Sequence, residues 1–240
     1  MRTLKEALRG LARNYCLTAN TIRYRIEYRV LAELIRQLPE ARLGDTLIDA
    51  GAGSGEMSIR LQADGFCTRI IGVEPFTDNY QCLVSNYGRQ ADRECHQADL
   101  SQLPVDAASV DAVVSTQVFE HIADHGAAAA EVARVVKPGG YALISTPHPP
   151  ELFPNDGHVR PGYTIEEMNA LFTPHGFSHL GCRYFLTKET TQCLFTTLNY
   201  GRISRLFPIA WADKEKHLTQ EEIFSQEPYG IACLYQRNHQ

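Results

Sequence analysis

From Thr46 onward, short apolar runs rich in β-branched residues alternate with segments whose apolar positions recur at helical spacing. Thr46 to Gly51 reads as a strand, followed by a helix from Ser54. Arg69 to Glu74 reads as a second strand, followed by a helix through Tyr80 and Tyr87. Glu94 to Gln97 is a short strand and Val110 to Ser115 a buried one. Asp124 to Val136 is a helix that stops at the breakers Lys137-Pro138-Gly139-Gly140, and Tyr141 to Ser145 is another buried strand. Gly230 to Tyr235 reads as the last strand. Apolar strands separated by helices predict an α/β fold, a mostly parallel sheet with helices on both faces.

Two regions fall outside that alternation. Residues 1–40 read as a helical lid or cap. At 100° per residue from Thr21 to Leu38, the side chains of Tyr24, Tyr28, Leu31, Leu34, Ile35 and Leu38 share an apolar arc, with Arg25, Arg29 and Arg36 as a basic stripe beside it. Residues 41–240 form the main domain, interrupted at about 186–228 by a helical insertion rich in Phe195, Tyr200, Leu206, Phe207 and Trp211. Because ligands of open α/β sheets bind beyond the carboxyl ends of the strands, both appendages are expected on the substrate side. Tyr28 and the arginines would then meet an anionic or aromatic small molecule, with the loop Phe153 to Tyr163 completing the pocket.

Composition narrows the classes. The chain has 240 residues, 44% of them hydrophobic, and a formal charge of −5, which suits one large α/β domain and argues against bulk nucleic-acid binding. No stretch approaches the ~18 apolar residues of a bilayer-spanning helix, and the start Met1-Arg-Thr-Leu-Lys-Glu6 lacks the apolar core of a secretory signal, so a cytoplasmic location is expected. The seven cysteines are scattered with no C-x-x-C pair, as free thiols would be.

The most informative segment is Leu47-Ile-Asp49-Ala-Gly51-Ala52-Gly53-Ser-Gly55-Glu56, an apolar strand, a glycine loop and a helix start. Glycines let a ligand lie close to the loop and to the helix N-terminus. The spacing is G-x-G-x-G, and the dinucleotide pattern would need a small residue where Glu56 stands. Asp49 and Glu56 would repel a pyrophosphate and not a cationic ligand. Glu74 ends the second strand, where a carboxylate can take both ribose hydroxyls. Asp99 follows the third strand and can accept from an adenine amino group.

Asp49-Ala-Gly-Ala-Gly-Ser-Gly55, Ile71-Gly-Val-Glu74, Ala98-Asp99-Leu100, Leu103-Pro104, Val110-Asp-Ala-Val-Val114, Phe119-Glu-His-Ile122 and Lys137-Pro-Gly-Gly140 together resemble a class I S-adenosylmethionine-dependent methyltransferase, in the small-molecule branch that includes ubiquinone-type O-methyltransferases. The resemblance covers about residues 45–185. It implies a Rossmann-like seven-stranded sheet in the order 3-2-1-4-5-7-6 with strand seven antiparallel. It also implies S-adenosylmethionine as cofactor and S-adenosylhomocysteine as product. Asp49, Gly51, Ala52, Gly53 and Gly55 would hold the methionine moiety, Glu74 with Pro75 the ribose, Asp99 with Leu100 the adenine, and Thr116 or Gln117 would line the sulfonium side.

Methyl transfer is an in-line displacement, so holding the acceptor close and aligned is the main task and a base is needed only for some acceptors. His121, His148 and His158 are the candidate bases. Glu120, His121 and His158 could also hold a divalent metal as some relatives do, but Gln117 stands where such enzymes have their first carboxylate, and the reading is of no metal. A small-molecule methyltransferase is the leading reading, with O-methylation ahead of N- or C-methylation by a small margin. The alternatives are an NAD-dependent oxidoreductase or epimerase, which Glu56 and the lack of a Tyr-x-x-x-Lys pair count against, and a non-catalytic cofactor-binding module.

Overall fold

A computed structural model of the protein describes residues 16–152, 156–195 and 206–239. Residues 1–15 of the expected lid, 153–155 of the pocket loop and 196–205 of the insertion, Tyr200 among them, lie outside the described residues.

Seven strands form the central sheet: β2 (Thr46–Ala50), β3 (Arg69–Val73), β4 (Arg93–His96), β5 (Val110–Thr116), β6 (Val136–Pro147), β7 (Phe177–Phe185) and β9 (Gly230–Arg237), ordered β4-β3-β2-β5-β6-β9-β7. Counted along the chain this is 3-2-1-4-5-7-6. The four pairings among β2 to β6 are parallel, and β9 runs antiparallel to both β6 and β7. The remaining strands, β1 (Cys16–Thr18) and β8 (Leu206–Pro208), pair antiparallel as a separate ribbon.

Burial explains why the inner strands read so clearly. Leu47, Ile48, Ile70, Ile71, Val113, Val114, Leu143 and Ile144 are all buried, as expected of strands covered on both faces. On one face pack α1 (Ala19–Ile35), α2 (Glu56–Ala63) and α3 (Thr77–Tyr87), and on the other α4 (His125–Val135) and α5 (Ile165–Phe172). Later in the chain come α6 (Lys188–Phe195) and α7 (Gln220–Ser225). Fully burying each Leu, Ile or Val contributes about 1.5–3 kcal/mol.

Four elements differ from expectation. Residues 16–18 form a strand instead of the start of a helix, and β8 puts a strand into an insertion read as helical. The helix over the expected arc, α1, is no loose cover: Ile22, Ile26 and Val30 are buried as well as Leu31, Leu34 and Ile35, so it belongs to the same core as Leu47 and Leu143. β6 begins at Val136, five residues before the expected start. Its first segment carries Lys137 to Gly140 past a bulge opposite Val110 to Ala112.

Parallel pairing puts the carboxyl ends of β2, β3, β4, β5 and β6 on one edge, and the start of β9 joins them because Gly230 pairs with Pro147. The glycine loop, Glu74, Asp99, Gln117, His148 and Tyr229 therefore leave the sheet along that same edge.

Candidate active site

The glycine loop folds over the end of β3, where the Gly51 and Ala52 amides donate to the Val73 carbonyl at 2.8 and 3.0 Å. Gly51 has φ +79°, and a Cβ there would stand 2.4 Å from Val118 Cγ2, so the chain is pinned between β3 and the residue that follows Gln117. Gly53, at φ +55°, has nothing within 4 Å of where a Cβ would be. Its backbone faces open space. Gly55 is the N-cap of α2.

Around this loop the carboxylates are arranged unequally. Asp49 is buried, accepts the Ser58 hydroxyl at 2.6 Å and has no cationic partner among the described residues. Burial, helped by the charge of Glu74 and opposed by the Ser58 hydrogen bonds, pushes its pKa up to about 6. Glu74 is also buried, but accepts the Gly53 and Phe76 amides at 2.8 and 3.0 Å. Pro75 is half-buried beside it, and the phenyl ring of Phe76 stands exposed at the mouth. Asp99 is exposed and accepts the Ser101 amide at 2.8 Å, while Leu100 is buried behind it.

Beyond β5, Gln117 takes the left-handed backbone region at φ +56°, a strained place for a side-chain-bearing residue. Three hydrogen bonds hold it there. Its amide donates to the Ser145 carbonyl at 2.9 Å, its Nε2 to Glu27 Oε1 at 3.1 Å, and its Oε1 accepts the Tyr229 hydroxyl at 3.1 Å. Thr116, half-buried at the strand end, precedes it. Glu27, on α1, is 2% exposed, takes the Ser145 hydroxyl at 2.6 Å and lies 3.4 Å from Arg23. The Tyr24 hydroxyl, one turn from Tyr28, is buried without a partner, and its pKa is raised first by burial and then by the charges of Asp49, Glu56 and Glu27.

The sequence reading missed Glu27 and Tyr24 as site residues, although a glutamate among the apolar positions 24, 28, 31 and 35 was a legible signal. It also gave no role to Tyr229 or to Phe76.

The 3-10 turn Phe119–His121 and the loop after β6 bring Glu120, His121 and His158 together, one ligating atom from each lying within 4.8 Å of the others. Glu120 is fully buried with both carboxyl oxygens unpartnered, and burial, with the Glu27 and Glu151 charges, pushes its pKa up to about 8. His121 Nδ1 sits 2.8 Å from the Gly157 carbonyl. A carbonyl only accepts, so Nδ1 carries the proton and Nε2 is left as the basic nitrogen, 3.9 Å from Glu120. His158 Nδ1 bonds Glu151 and its ring meets that of His121 edge-on at 4.6 Å.

Two expected site residues are not brought to this cluster. His148 turns instead to the rings of Tyr184 and Phe224, at 5.3 and 6.0 Å, and burial lowers its pKa. Tyr28 donates to Asp64, the C-cap of α2, under the Arg60 guanidinium. In both cases the strand end or helix was read correctly and the side-chain direction was not, because direction depends on packing partners distant in sequence.

A parallel sheet switching at β2 and β5, a glycine loop on the first strand and a carboxylate ending the second make the Rossmann-like, nucleotide-cofactor edge that class I S-adenosylmethionine-dependent methyltransferases have. Residues 48–144 match the family described as "Methyltransferase domain". A probable S-adenosylmethionine-dependent methyltransferase of Mycolicibacterium smegmatis is 34% identical over 139 residues, 56% of this chain and 52% of that protein. The malonyl-[acyl-carrier protein] O-methyltransferase of Serratia marcescens is 30% identical over 118 residues, 49% of this chain and 44% of that protein. The chain spans about half the length of the curated relatives it matches, or less. Among solved structures, a putative sarcosine dimethylglycine methyltransferase from Galdieria sulphuraria superposes with TM-score 0.64 at 16% identity, covering 89% of this chain and 85% of that one. At that identity the likeness is one of fold.

The residues present fit S-adenosylmethionine, the cofactor of this class. Gly53 leaves open space beside the loop, the Tyr24 hydroxyl is buried without a partner, and buried Asp49 has no cation. A cationic ligand with hydroxyl groups supplies what each lacks. Among the described residues no helix is long and apolar enough to cross a membrane.

Proposed function

We propose that the protein methylates an oxygen of a small-molecule acceptor, with His121 receiving the acceptor's proton. The observation that carries this reading is the 2.8 Å contact of His121 Nδ1 with the Gly157 carbonyl, which only accepts, so that Nε2, on the side of Glu120 and His158, is the nitrogen left to take a proton. When bound, S-adenosylmethionine supplies an electrophilic methyl group on a sulfonium centre. Asp49 and the backbone of Gly51 to Gly55 hold the methionine moiety, Glu74 takes the ribose hydroxyls, and Asp99, Leu100 and exposed Phe76 border the adenine. Thr116 and Gln117 line the sulfonium side, and the clamp on Gln117 from Glu27, Ser145 and Tyr229 keeps that wall still. The part of His121 is to accept a proton as the acceptor oxygen attacks, a step typically worth 10²–10⁴-fold in rate. Buried Glu27 favours positive charge as it develops at the acceptor.

A second reading has its own observation, the two unpartnered oxygens of Glu120 beside two imidazoles. Glu120, His121 and His158 would hold a divalent cation that polarises the acceptor hydroxyl.

The experiment is transfer of isotope-labelled methyl from S-adenosylmethionine to panels of phenols, hydroxy acids, carboxylic acids and amines, read by product mass spectrometry before and after dialysis against a chelator. Methylated oxygen with chelator-insensitive turnover supports His121 as base. Loss of turnover restored by Mg²⁺ or Mn²⁺ favours the metal. Transfer to amines alone overturns the oxygen acceptor, and cofactor binding without transfer across all panels favours the non-catalytic module.

A further inference from the structure

A cavity of about 280 Å³ opens between α1, the carboxyl end of α2 and the turn Ile209–Asp213. Five cationic side chains line it, Arg25, Arg29, Arg36, Arg60 and Lys216, against two carboxylates, Asp64 and Asp213. That excess stands in a chain whose formal charge is −5, so it is a local feature and not a bulk one.

Two of the five are already engaged. Arg29 donates to the Ala212 carbonyl at 2.8 Å, and Lys216 pairs with Asp213 at 2.6 Å. The other three have no ion-pair partner among the described residues. Arg60 lies over the Tyr28 ring at 4.6 Å and Arg36 over the Phe66 ring at 5.5 Å, while Arg25 lines the same cavity. Stacking on an aromatic ring fixes the plane of a guanidinium and leaves its N–H edge pointing outward. Tyr28 already donates to Asp64, which occupies one of the two carboxylates.

Three like charges turned into one concavity repel one another, and the repulsion is relieved by an anion that accepts several charge-assisted hydrogen bonds at once. We propose that this cavity binds a phosphate group. Its tetrahedral oxygens can accept from several of the guanidinium groups that line the cavity, whose volume is close to the ~300 Å³ lower bound of small-molecule pockets. The site lies at the other end of α2 from the glycine loop, about 12 Å away along an eight-residue helix. It owes nothing to a helix N-terminus and does not rest on the methyl-transfer reading.

The single tryptophan of the chain is a built-in reporter, because Trp211 belongs to the turn that walls the cavity. The test is titration of the full chain with inorganic phosphate at constant ionic strength, following Trp211 fluorescence, with acetate as the comparison anion. The expected result is a saturable change with phosphate that acetate does not reproduce. Arg25→Gln and Arg36→Gln should each weaken it by about tenfold or more, with melting temperature and S-adenosylmethionine affinity unchanged. A response that does not saturate, an equal response to acetate, or wild-type phosphate affinity in both variants overturns the proposal. Phosphate binding in a protein that fails to bind S-adenosylmethionine would sink the cofactor assignment and leave this site standing.

Discussion

Replacing Asp49 with Asn should make the empty protein more stable and worse at holding its cofactor. Asp49 is fully buried, and its only described side-chain partner is the neutral Ser58 hydroxyl, so burial raises its pKa from 3.8 to about 6. A carboxyl whose folded-state pKa is raised binds its proton more tightly in the folded chain than in the unfolded one. The fold therefore gains stability as pH falls from about 6 towards 4, and ionised Asp49 at pH 7 costs about 3 kcal/mol, at about 1.4 kcal/mol per pH unit. The amide keeps an oxygen for Ser58 and carries no charge, so Asp49→Asn should raise the melting temperature of the empty protein at neutral pH by several degrees, at ~2–4 °C per kcal/mol for a chain of this size. The cofactor side runs the other way. A charged hydrogen bond is worth ~1.5–3 kcal/mol, so the variant should bind S-adenosylmethionine at least about tenfold more weakly. Only ionised Asp49 favours the cation, so wild-type affinity should also fall by about tenfold between pH 7 and pH 5, while the variant stays flat across that range. Calorimetric titration and thermal melts at both pH values measure all of this. Wild-type affinity in the variant, or a lower melting temperature at neutral pH, would refute the account of Asp49.

Three further outcomes are expected. His121→Ala should cut turnover by about 100-fold or more while cofactor affinity holds, and unchanged turnover would reduce His121 to a wall of the pocket. Gly51→Ala should destabilise the chain by about 1–3 kcal/mol in a denaturant melt, since φ is +79° and the new methyl meets Val118 at 2.4 Å. Glu27→Ala leaves the Ser145 hydroxyl and the Gln117 amide without their acceptor, at about 1–3 kcal/mol for each buried group, whereas Glu27→Gln keeps an oxygen in place and should melt close to wild type.

What could be read from the sequence follows from how local each signal is. β2, β3 and β5 are buried on both faces and show as unbroken apolar runs, and the glycine loop is legible because one short stretch contains the whole turn. β7 was not read. It is an edge strand, mostly half-buried, with an irregularity between His179 and Gly181, so it shows neither an apolar run nor alternation. Helix α5 was missed although it carries a capping box, Thr164 with Glu167, and α7, which falls within the stretch read as a helical insertion, carries another, Thr219 with Glu222. The β1–β8 ribbon pairs Cys16 with Pro208, and no local pattern predicts contact across that separation. The same limit governs the site. His121 and His158 meet across a loop, and Glu27 reaches Gln117 and Ser145 from another part of the chain, so their residue types were visible and their meeting was not.

The insertion of β9 between β6 and β7 has a consequence for synthesis on the ribosome. Every pairing among β2, β3, β4, β5 and β6 is complete once residue 147 has emerged, and the glycine loop, Glu74 and Asp99 lie within that length. By contrast β7 pairs only with β9, so its edge stays bare until residue 237 is made. Phe172 and Phe177, which pack against Tyr235, wait equally long for their cover. The nascent chain thus assembles its glycine-loop half first and carries an open sheet edge with uncovered aromatic rings until residue 237 is made, the interval in which a chaperone has most to shield.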